Sequence, residues 1–237
     1  MNNTDKRRAG ARALKRKRYK QRMYIRMALV VVLVLIAGIT VERIVKTVRA
    51  GQAAEPVVQE YVEDKKKVAD PPEYTVDLLT VNPYSRPGTA LEQVNGIVIH
   101  YTANPGTTAK QNRDYFEGLS LSGETSASSH FVIGIDGEIV QCIPCNEIAY
   151  ASNDRNADTI AIECCIPDET GRFTDATYDT LLHLTAWLIG RYDLTIDDVI
   201  RHYDVTGKDC PKYYVENPSA WEQMKADISA YIEKNGT

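Results

Sequence analysis

Two histidines and one cysteine are the side chains of this sequence whose types and positions suggest metal chemistry. His100 directly follows the apolar run at residues 97–99, whereas His202 and Cys210 belong to the segment IRHYDVTGKDCP at residues 200–211. Two imidazoles and one thiolate would leave the fourth position of a tetrahedral zinc ion open, as a catalytic zinc site requires. On spacing alone, His100 could equally be a hydrogen-bonded residue at a strand end, and Cys210 could be half of a disulfide.

Short apolar runs and amphipathic repeats predict the elements that would position these side chains. Runs rich in β-branched residues predict strands, and Asp136-Gly137 between two such runs predicts a hairpin. Apolar positions three and four residues apart predict helices. The predicted strands are residues 96–102, 130–135, 138–143, 159–165 and 199–202, and the predicted helices are residues 108–119, 174–191 and 219–232. This order of elements indicates a mixed α/β fold.

The N-terminal part of the chain differs in charge and hydropathy from the rest. Lys and Arg crowd residues 6–26, although the 237-residue chain has a net charge of -4. Residues 27–41 are uncharged and would span about 22 Å as a helix. That length crosses a bilayer core of roughly 30 Å only if flanking residues such as Arg26 and Arg43 extend their side chains to the headgroups. Because charged residues separate the apolar run from any small-residue cleavage site, we expect an uncleaved anchor rather than a signal peptide.

These features predict four regions along the chain. Residues 1–26 are expected to be a basic cytoplasmic tail, since basic residues beside an apolar segment hold that end in the cytoplasm and nucleic-acid binding is not needed to explain them. Residues 27–45 are the expected transmembrane anchor, and residues 46–80 are expected to be a polar, Pro-containing stalk, although the segment from Tyr74 to Tyr84 could already lie against the domain. Residues 81–237 are expected to be a single folded domain outside the cytoplasm, carried by a single-pass membrane protein.

Four segments, taken in order, resemble those of the zinc-dependent N-acetylmuramoyl-L-alanine amidases, a family that includes phage lysins, bacterial wall amidases and animal peptidoglycan recognition proteins. The segments are IVIHYTAN at residues 97–104, SSHFVIGIDGEIVQCIP at 128–144, NADTIAIE at 156–163 and IRHYDVTGKDCP at 200–211. The resemblance covers about residues 95–231. It implies a central mixed β-sheet flanked by helices, a Zn²⁺ ion held by His100, His202 and Cys210, and peptidoglycan as the substrate.

The resemblance also implies catalytic roles for two charged side chains that, without it, would be interpreted as ordinary solvent-exposed charges. Glu163 ends the run TIAIE and matches the general base of lysin-like members. Lys208 stands two residues before Cys210, as in the K-x-C of phage enzymes, where the Lys stabilises an oxyanion. Some phage relatives carry a Tyr where this chain has Ser129, so we expect Glu163 rather than a phenol to be the acid/base group.

The implied reaction is cleavage of the amide between the lactyl group of N-acetylmuramic acid and L-alanine by zinc-activated water. The expected substrate contacts are Asn104, Ser129, His130, Asn156 and Thr206. The alternative is a peptidoglycan-binding module that does not cleave its ligand, and the presence of Cys210, a ligand commonly lost in such binders, favours the enzyme. We expect a monomer.

Four further cysteines are not explained by this reading. They form a CIPC motif at residues 142–145 and an adjacent pair, Cys164 and Cys165. Outside the cytoplasm, disulfides are the default, although a second zinc site or a redox motif is also compatible with the spacing. Because neighbouring residues of a strand point to opposite faces, Cys165 would share the face of Glu163 and Cys164 would not.

Overall fold

A computed structural model describes residues 67–237 of the chain, together with Lys20, Met23 and Met27. The chain divides into two compact units, Met1–Glu63 and Asp64–Thr237. The predicted anchor at residues 27–45 lies outside the described residues except for Met27. Within the part of the chain that is described, no helix combines the length and the apolar character that a membrane crossing requires.

Six strands form one mixed sheet in the second unit. They are β1 Thr75–Val76, β2 Ile97–Tyr101, β3 Phe131–Ile133, β4 Ile139–Gln141, β5 Ile160–Cys164 and β6 Val199–Arg201. Their order across the sheet is β1-β4-β3-β5-β2-β6. Only β3 and β4 are antiparallel neighbours, joined by the hairpin predicted at Asp136-Gly137, and the other neighbouring pairs run parallel. The predicted mixed sheet is therefore confirmed.

Five α-helices accompany the sheet in the described residues. They are α1 Ala109–Ser122, α2 Asp175–Arg191, α3 His202–Thr206, α4 Lys212–Glu216 and α5 Pro218–Asn235. The hydroxyl of Thr108 caps α1 and that of Thr174 caps α2 by accepting a backbone N–H of the first turn. Two 3₁₀ turns, Asn153–Ala157 and Ile196–Asp198, precede β5 and β6.

The alternation of side chains along the strands divides the core into two layers. One face of the sheet packs against α2 and α5 through apolar residues such as Ile99, Ile162 and Leu184. The other face packs against α1, and Val132 of the sheet and Phe116 of α1 belong to this second layer of the core. Helix α1 contacts β3 and β4, and the cavity described below lies on this same face of the sheet.

Residues 67–80, expected to be part of a stalk, instead pack onto the folded unit. They provide strand β1 and the fully buried Leu79. Tyr74 places its ring against Phe131, with centroids 5.8 Å apart, and Arg113 of α1 donates hydrogen bonds to two main-chain carbonyls of the segment. The folded unit therefore begins earlier than residue 81, because a few well-placed apolar residues anchor a segment whose average composition is polar.

Candidate active site

The sheet topology brings together three candidate metal ligands that are far apart in sequence. His100 lies near the carboxyl end of β2, and His202 begins α3 directly after β6, the parallel neighbour of β2. Cys210 follows in the loop before α4. The three side chains are buried, and their ligand atoms all lie within 4.8 Å of one another.

The chemistry of this donor set fits zinc. The Cys210 Sγ atom lies 3.8 Å from Nδ1 of His100, and a tetrahedral ion with ordinary zinc–nitrogen and zinc–sulfur bonds would separate two such atoms by about 3.6 Å. The two imidazole centroids are 4.7 Å apart, with the rings inclined at 58°. Two imidazoles and one thiolate leave one coordination position for water or substrate.

The electrostatics of the three side chains also favour a bound cation. Burial, followed by the proximity of His202 and Lys208, holds the pKa of His100 well below its usual range, and burial lowers the pKa of His202. Both rings are therefore neutral at pH 7, which is the form that binds metal. Burial and the nearby Glu163 raise the pKa of Cys210 to about 12, so the thiolate needs a compensating cation.

The outward-facing nitrogens of both imidazoles have hydrogen-bond partners that the sequence did not reveal. Nε2 of His100 is 3.1 Å from Oγ of Ser152, and Nε2 of His202 is 3.0 Å from Oδ1 of Asn153. Such partners orient metal-binding imidazoles. No motif marked these residues, because they lie in a loop whose path is set by the fold; their position shortly before the NADTIAIE segment was the only available signal.

Glu163 lies beside the ligand cluster. Its position on β5 pairs with His100 on β2, so both side chains project from the same face of the sheet. Burial raises the pKa of Glu163 to about 8, although the charge of Lys208 opposes the shift. Oε2 of Glu163 is buried without a hydrogen-bond partner. A buried, unpaired carboxyl oxygen is costly, and it is available to a ligand.

An open cavity of about 440 Å³ joins these groups. It is lined by His100, Tyr101, Phe116, Thr125, Ser126, Ala127, Ser128, Tyr150, Ala151, Asn153, Asn156, Glu163, His202, Lys208 and Cys210. The structure thus gathers all five predicted metal and catalytic residues around one space. Lys208 is the cationic side chain of the lining and lies at its exposed rim.

The predicted substrate contacts Asn156, Thr206 and Asn104 have different positions. Asn156 lines the cavity, but its Oδ1 atom accepts hydrogen bonds from the main-chain N–H groups of residues 151 and 152. Thr206 donates a hydrogen bond to the carbonyl of His202 and accepts one from the N–H of Lys208, which shapes the loop between them. Asn104 is exposed and is absent from the cavity lining.

Ser129 and His130, two of the expected substrate contacts, are not among the residues that line the cavity. The Ser129 hydroxyl is fully buried and lies 2.9 Å from the carbonyls of Phe131 and Ala161. The His130 ring accepts a hydrogen bond from the N–H of Ala161 at Nδ1 and contacts the carbonyl of Glu147 through Nε2. Both side chains form hydrogen bonds with the main chain, and the neighbouring Ser128 lines the cavity.

All five cysteines fall within the described residues and are buried free thiols, so the expected disulfides are not formed. Cys142 and Cys165 belong to the layer under α1, whereas Cys145 and Cys164 belong to the layer under α2 and α5. Burial raises the pKa of Cys142 and of Cys165 to about 12. These four thiols thus act as small core side chains.

Comparison with known proteins agrees with the geometry of the site. The sequence pattern of the family described as N-acetylmuramoyl-L-alanine amidase (Amidase_2) matches residues 90–213. This match covers more than half of the chain and includes His100, Glu163, His202 and Cys210. The chain belongs to the N-acetylmuramoyl-L-alanine amidase family.

Individual relatives extend the same comparison. N-acetylmuramoyl-L-alanine amidase CwlL of Bacillus licheniformis is 37% identical over 168 residues, which cover 66% of this chain and 46% of the relative. N-acetylmuramoyl-L-alanine amidase BlyA of Bacillus subtilis is 32% identical over 178 residues, which cover 66% of this chain and 47% of the relative. This chain therefore spans about half the length of these curated relatives. The catalytic domain of XlyA has a similar fold, with a TM-score of 0.57 and 28% identity over 66% of this chain and 99% of that domain.

Proposed function

We propose that this chain is a peptidoglycan hydrolase that cleaves the amide between the lactyl group of N-acetylmuramic acid and the L-alanine of the stem peptide. The observation that carries the proposal is the grouping of His100, His202 and Cys210 beside the unpaired carboxyl oxygen of Glu163, in an open cavity. The names of the relatives CwlL and BlyA support the same reaction.

His100, His202 and Cys210 would hold the zinc ion. When bound, zinc would polarise the scissile carbonyl and make water a better nucleophile at neutral pH. Glu163 would take a proton from the attacking water and deliver it to the leaving nitrogen of L-alanine. The ammonium group of Lys208 lies on the cavity lining, where it would stabilise negative charge that develops on the carbonyl oxygen.

The pKa of Glu163 suits a group that both accepts and donates a proton. Burial raises it to about 8, and a divalent cation beside the carboxyl would lower it again, towards neutrality. A carboxyl whose pKa lies near the working pH transfers protons in both directions most effectively. The buried, unpaired Oε2 atom is the site at which the proton would be exchanged.

Mass spectrometry of digested cell walls tests the reaction directly. The purified full-length protein, loaded with zinc, should release peptides with a free N-terminal L-alanine and leave the glycan strands intact. A chelator should abolish this release, and added zinc should restore it. Cleavage within the stem peptide would assign a different hydrolase, and wall binding with no new product would indicate a binding module instead.

We also propose that the protein is anchored in the cell membrane by residues 27–45, with the zinc domain on the outer side. The support is the uncharged run at residues 27–41 and the basic residues that precede it. The full-length protein should remain in the membrane fraction after an alkaline wash, and protease added to intact protoplasts should degrade the zinc domain. Recovery in the soluble fraction, or protection from protease, would contradict this arrangement.

A further inference from the structure

Adjacent residues of one loop contact both imidazoles of the candidate zinc site. Ser152 reaches Nε2 of His100 and Asn153 reaches Nε2 of His202, at 3.1 and 3.0 Å respectively. The two imidazoles are supplied by different parts of the sheet, β2 and the end of β6. A single loop therefore contacts both ligands, and in His100 the contacted nitrogen is Nε2, whereas Nδ1 lies 3.8 Å from Cys210 Sγ.

The loop is held in place by its own hydrogen bonds. Oδ1 of Asn156 accepts the N–H groups of Ala151 and Ser152, at 3.0 and 2.6 Å. Asn153 has a φ of 52°, in the left-handed region that residues other than glycine seldom adopt. Asn tolerates this conformation better than most residues do. The backbone thus accepts an unusual conformation that brings the Asn153 amide to His202.

The chemistry of the amide oxygen determines which nitrogen of His202 carries the proton. Oδ1 of Asn153 can only accept a hydrogen bond, so Nε2 of His202 must donate it. A neutral ring protonated at Nε2 leaves the lone pair of Nδ1 free to bind a metal. In His100, Nδ1 is the nitrogen 3.8 Å from Cys210 Sγ, and Nε2 again faces the loop.

We propose that Asn153 and Ser152 are positioning residues that fix both imidazoles with Nδ1 directed at the metal, and that Asn156 holds the loop that carries them. The inference rests on the proposed zinc site and adds to it the residues that prepare it. Asn153 has the larger role, because its oxygen is an obligate acceptor, whereas the Ser152 hydroxyl can donate or accept. The assignment gives Asn156 a role in holding the loop, in addition to its place in the cavity lining.

Zinc affinity of the full-length protein, measured without substrate by competition with a fluorescent chelator, tests this inference. Asn153→Gly removes the amide but suits the left-handed backbone, so any loss reports the hydrogen bond rather than strain. We expect the zinc dissociation constant to rise about 10–100-fold. Asn153→Asp retains an acceptor oxygen and should bind zinc at least as tightly as the unmodified protein. Absorption by the cobalt-substituted protein should change in Asn153→Gly and not in Asn153→Asp.

The neighbouring Asp154→Gly variant is the matched control, because it places a glycine in the same 3₁₀ turn at an exposed residue that does not line the cavity. Its zinc affinity should be that of the unmodified protein. Unchanged affinity in Asn153→Gly, or a loss in Asn153→Asp equal to that in Asn153→Gly, would overturn the inference. Because no peptidoglycan is used, these outcomes are independent of whether the protein proves to be an amidase.

Discussion

At the scale of single residues, Glu163 shows a conflict between stability and the proposed chemistry. Its carboxyl lies on a buried strand, its Oε2 atom has no hydrogen-bond partner, and burial raises its pKa to about 8. Between its ordinary pKa of 4.5 and this value, the folded chain binds a proton that the unfolded chain has released. The contribution of Glu163 to stability is therefore lost as the pH rises through this range.

Replacing Glu163 with Gln should separate the two effects. Glu163→Gln is expected to retain zinc and to lower the rate of L-alanine release by about 10²–10⁴-fold, since the group that moves the proton is removed. In metal-free protein at pH 8, the same variant should unfold at a higher temperature than the unmodified chain, because the amide cannot ionise. Glu169→Gln, at an exposed carboxyl, should change neither quantity. Normal turnover in Glu163→Gln would exclude the proposed role.

His130 should make the folded state sensitive to acid. Its buried ring uses both nitrogens, and burial lowers its pKa from 6.5 to about 4. Between these values the unfolded chain takes up a proton that the folded chain does not, so stability falls as the pH decreases. His130→Gln, which retains a donor and an acceptor, should remove about 2 kcal/mol of the stability difference between pH 7.5 and pH 5. Urea unfolding at both pH values measures this difference. If the free energy of unfolding fell by the same amount between pH 7.5 and pH 5 in His130→Gln and in the unmodified protein, the prediction would be wrong.

The sequence allowed some of the site to be predicted, and the reason is geometric. His100, Glu163 and His202 each stand at or near the end of an apolar strand, and parallel neighbours bring such ends together. Ser152 and Asn153 act through hydrogen bonds whose geometry depends on the path of a loop, and no periodicity encodes that path. Ser129 and His130 lie in a matching segment, but the direction of each side chain depends on the register of β3.

At the scale of elements, segments with a clear period, apolar run or turn signal were predictable, whereas β1, α3 and α4 were not. The predicted helix at residues 174–191 agrees with α2, and the hairpin around Asp136-Gly137 agrees with β3 and β4. Strand β1 has two residues, and α3 and α4 have five each. Segments of this length contain too few turns or alternations to show a period, so they form because of their tertiary contacts.

The packing of residues 77–80 on α1 depends on Arg113. Its guanidinium donates to the carbonyls of Asp77 and Leu78 and forms an ion pair with the Asp77 carboxylate, 3.1 Å away. Arg113→Met should lower the free energy of unfolding by about 2–4 kcal/mol, because two main-chain carbonyls and the half-buried carboxylate of Asp77 lose their partner. Hydrogen exchange at Leu79, whose N–H bonds the carbonyl of Cys142, should accelerate.

Lys110→Met is the control for this experiment, because Lys110 also pairs with Asp77 but is exposed. Lys110→Met should lower the free energy of unfolding by at most about 1 kcal/mol, as is usual when a surface ion pair is removed. Equal destabilisation by the two substitutions would show that charge on α1, rather than the buried hydrogen bonds of Arg113, holds the segment.

At the scale of the whole molecule, residues at the start and at the end of the folded unit are hydrogen-bonded to each other. The N–H and carbonyl of Val68 bond the carbonyl and N–H of Thr237, at 3.2 and 3.1 Å. Lys67 forms an ion pair with Glu233 of α5, and the neighbouring Ala69 is buried. Residues 67 and 68 therefore contact the C-terminal residues of the folded unit, and the segment before β1 is part of the fold.

Two truncations should show where the folded unit begins. Removing residues 1–63 should leave the thermal midpoint of the remaining unit unchanged, because the division between the two units falls after Glu63. Removing residues 1–76 also deletes β1, the Val68–Thr237 hydrogen bonds and the Tyr74 ring packed on Phe131. A loss of about 2 kcal/mol from these contacts would lower the midpoint by roughly 4–8 °C in a domain of this size. Calorimetry of both proteins measures the difference, and equal midpoints would show that the segment is a stalk after all.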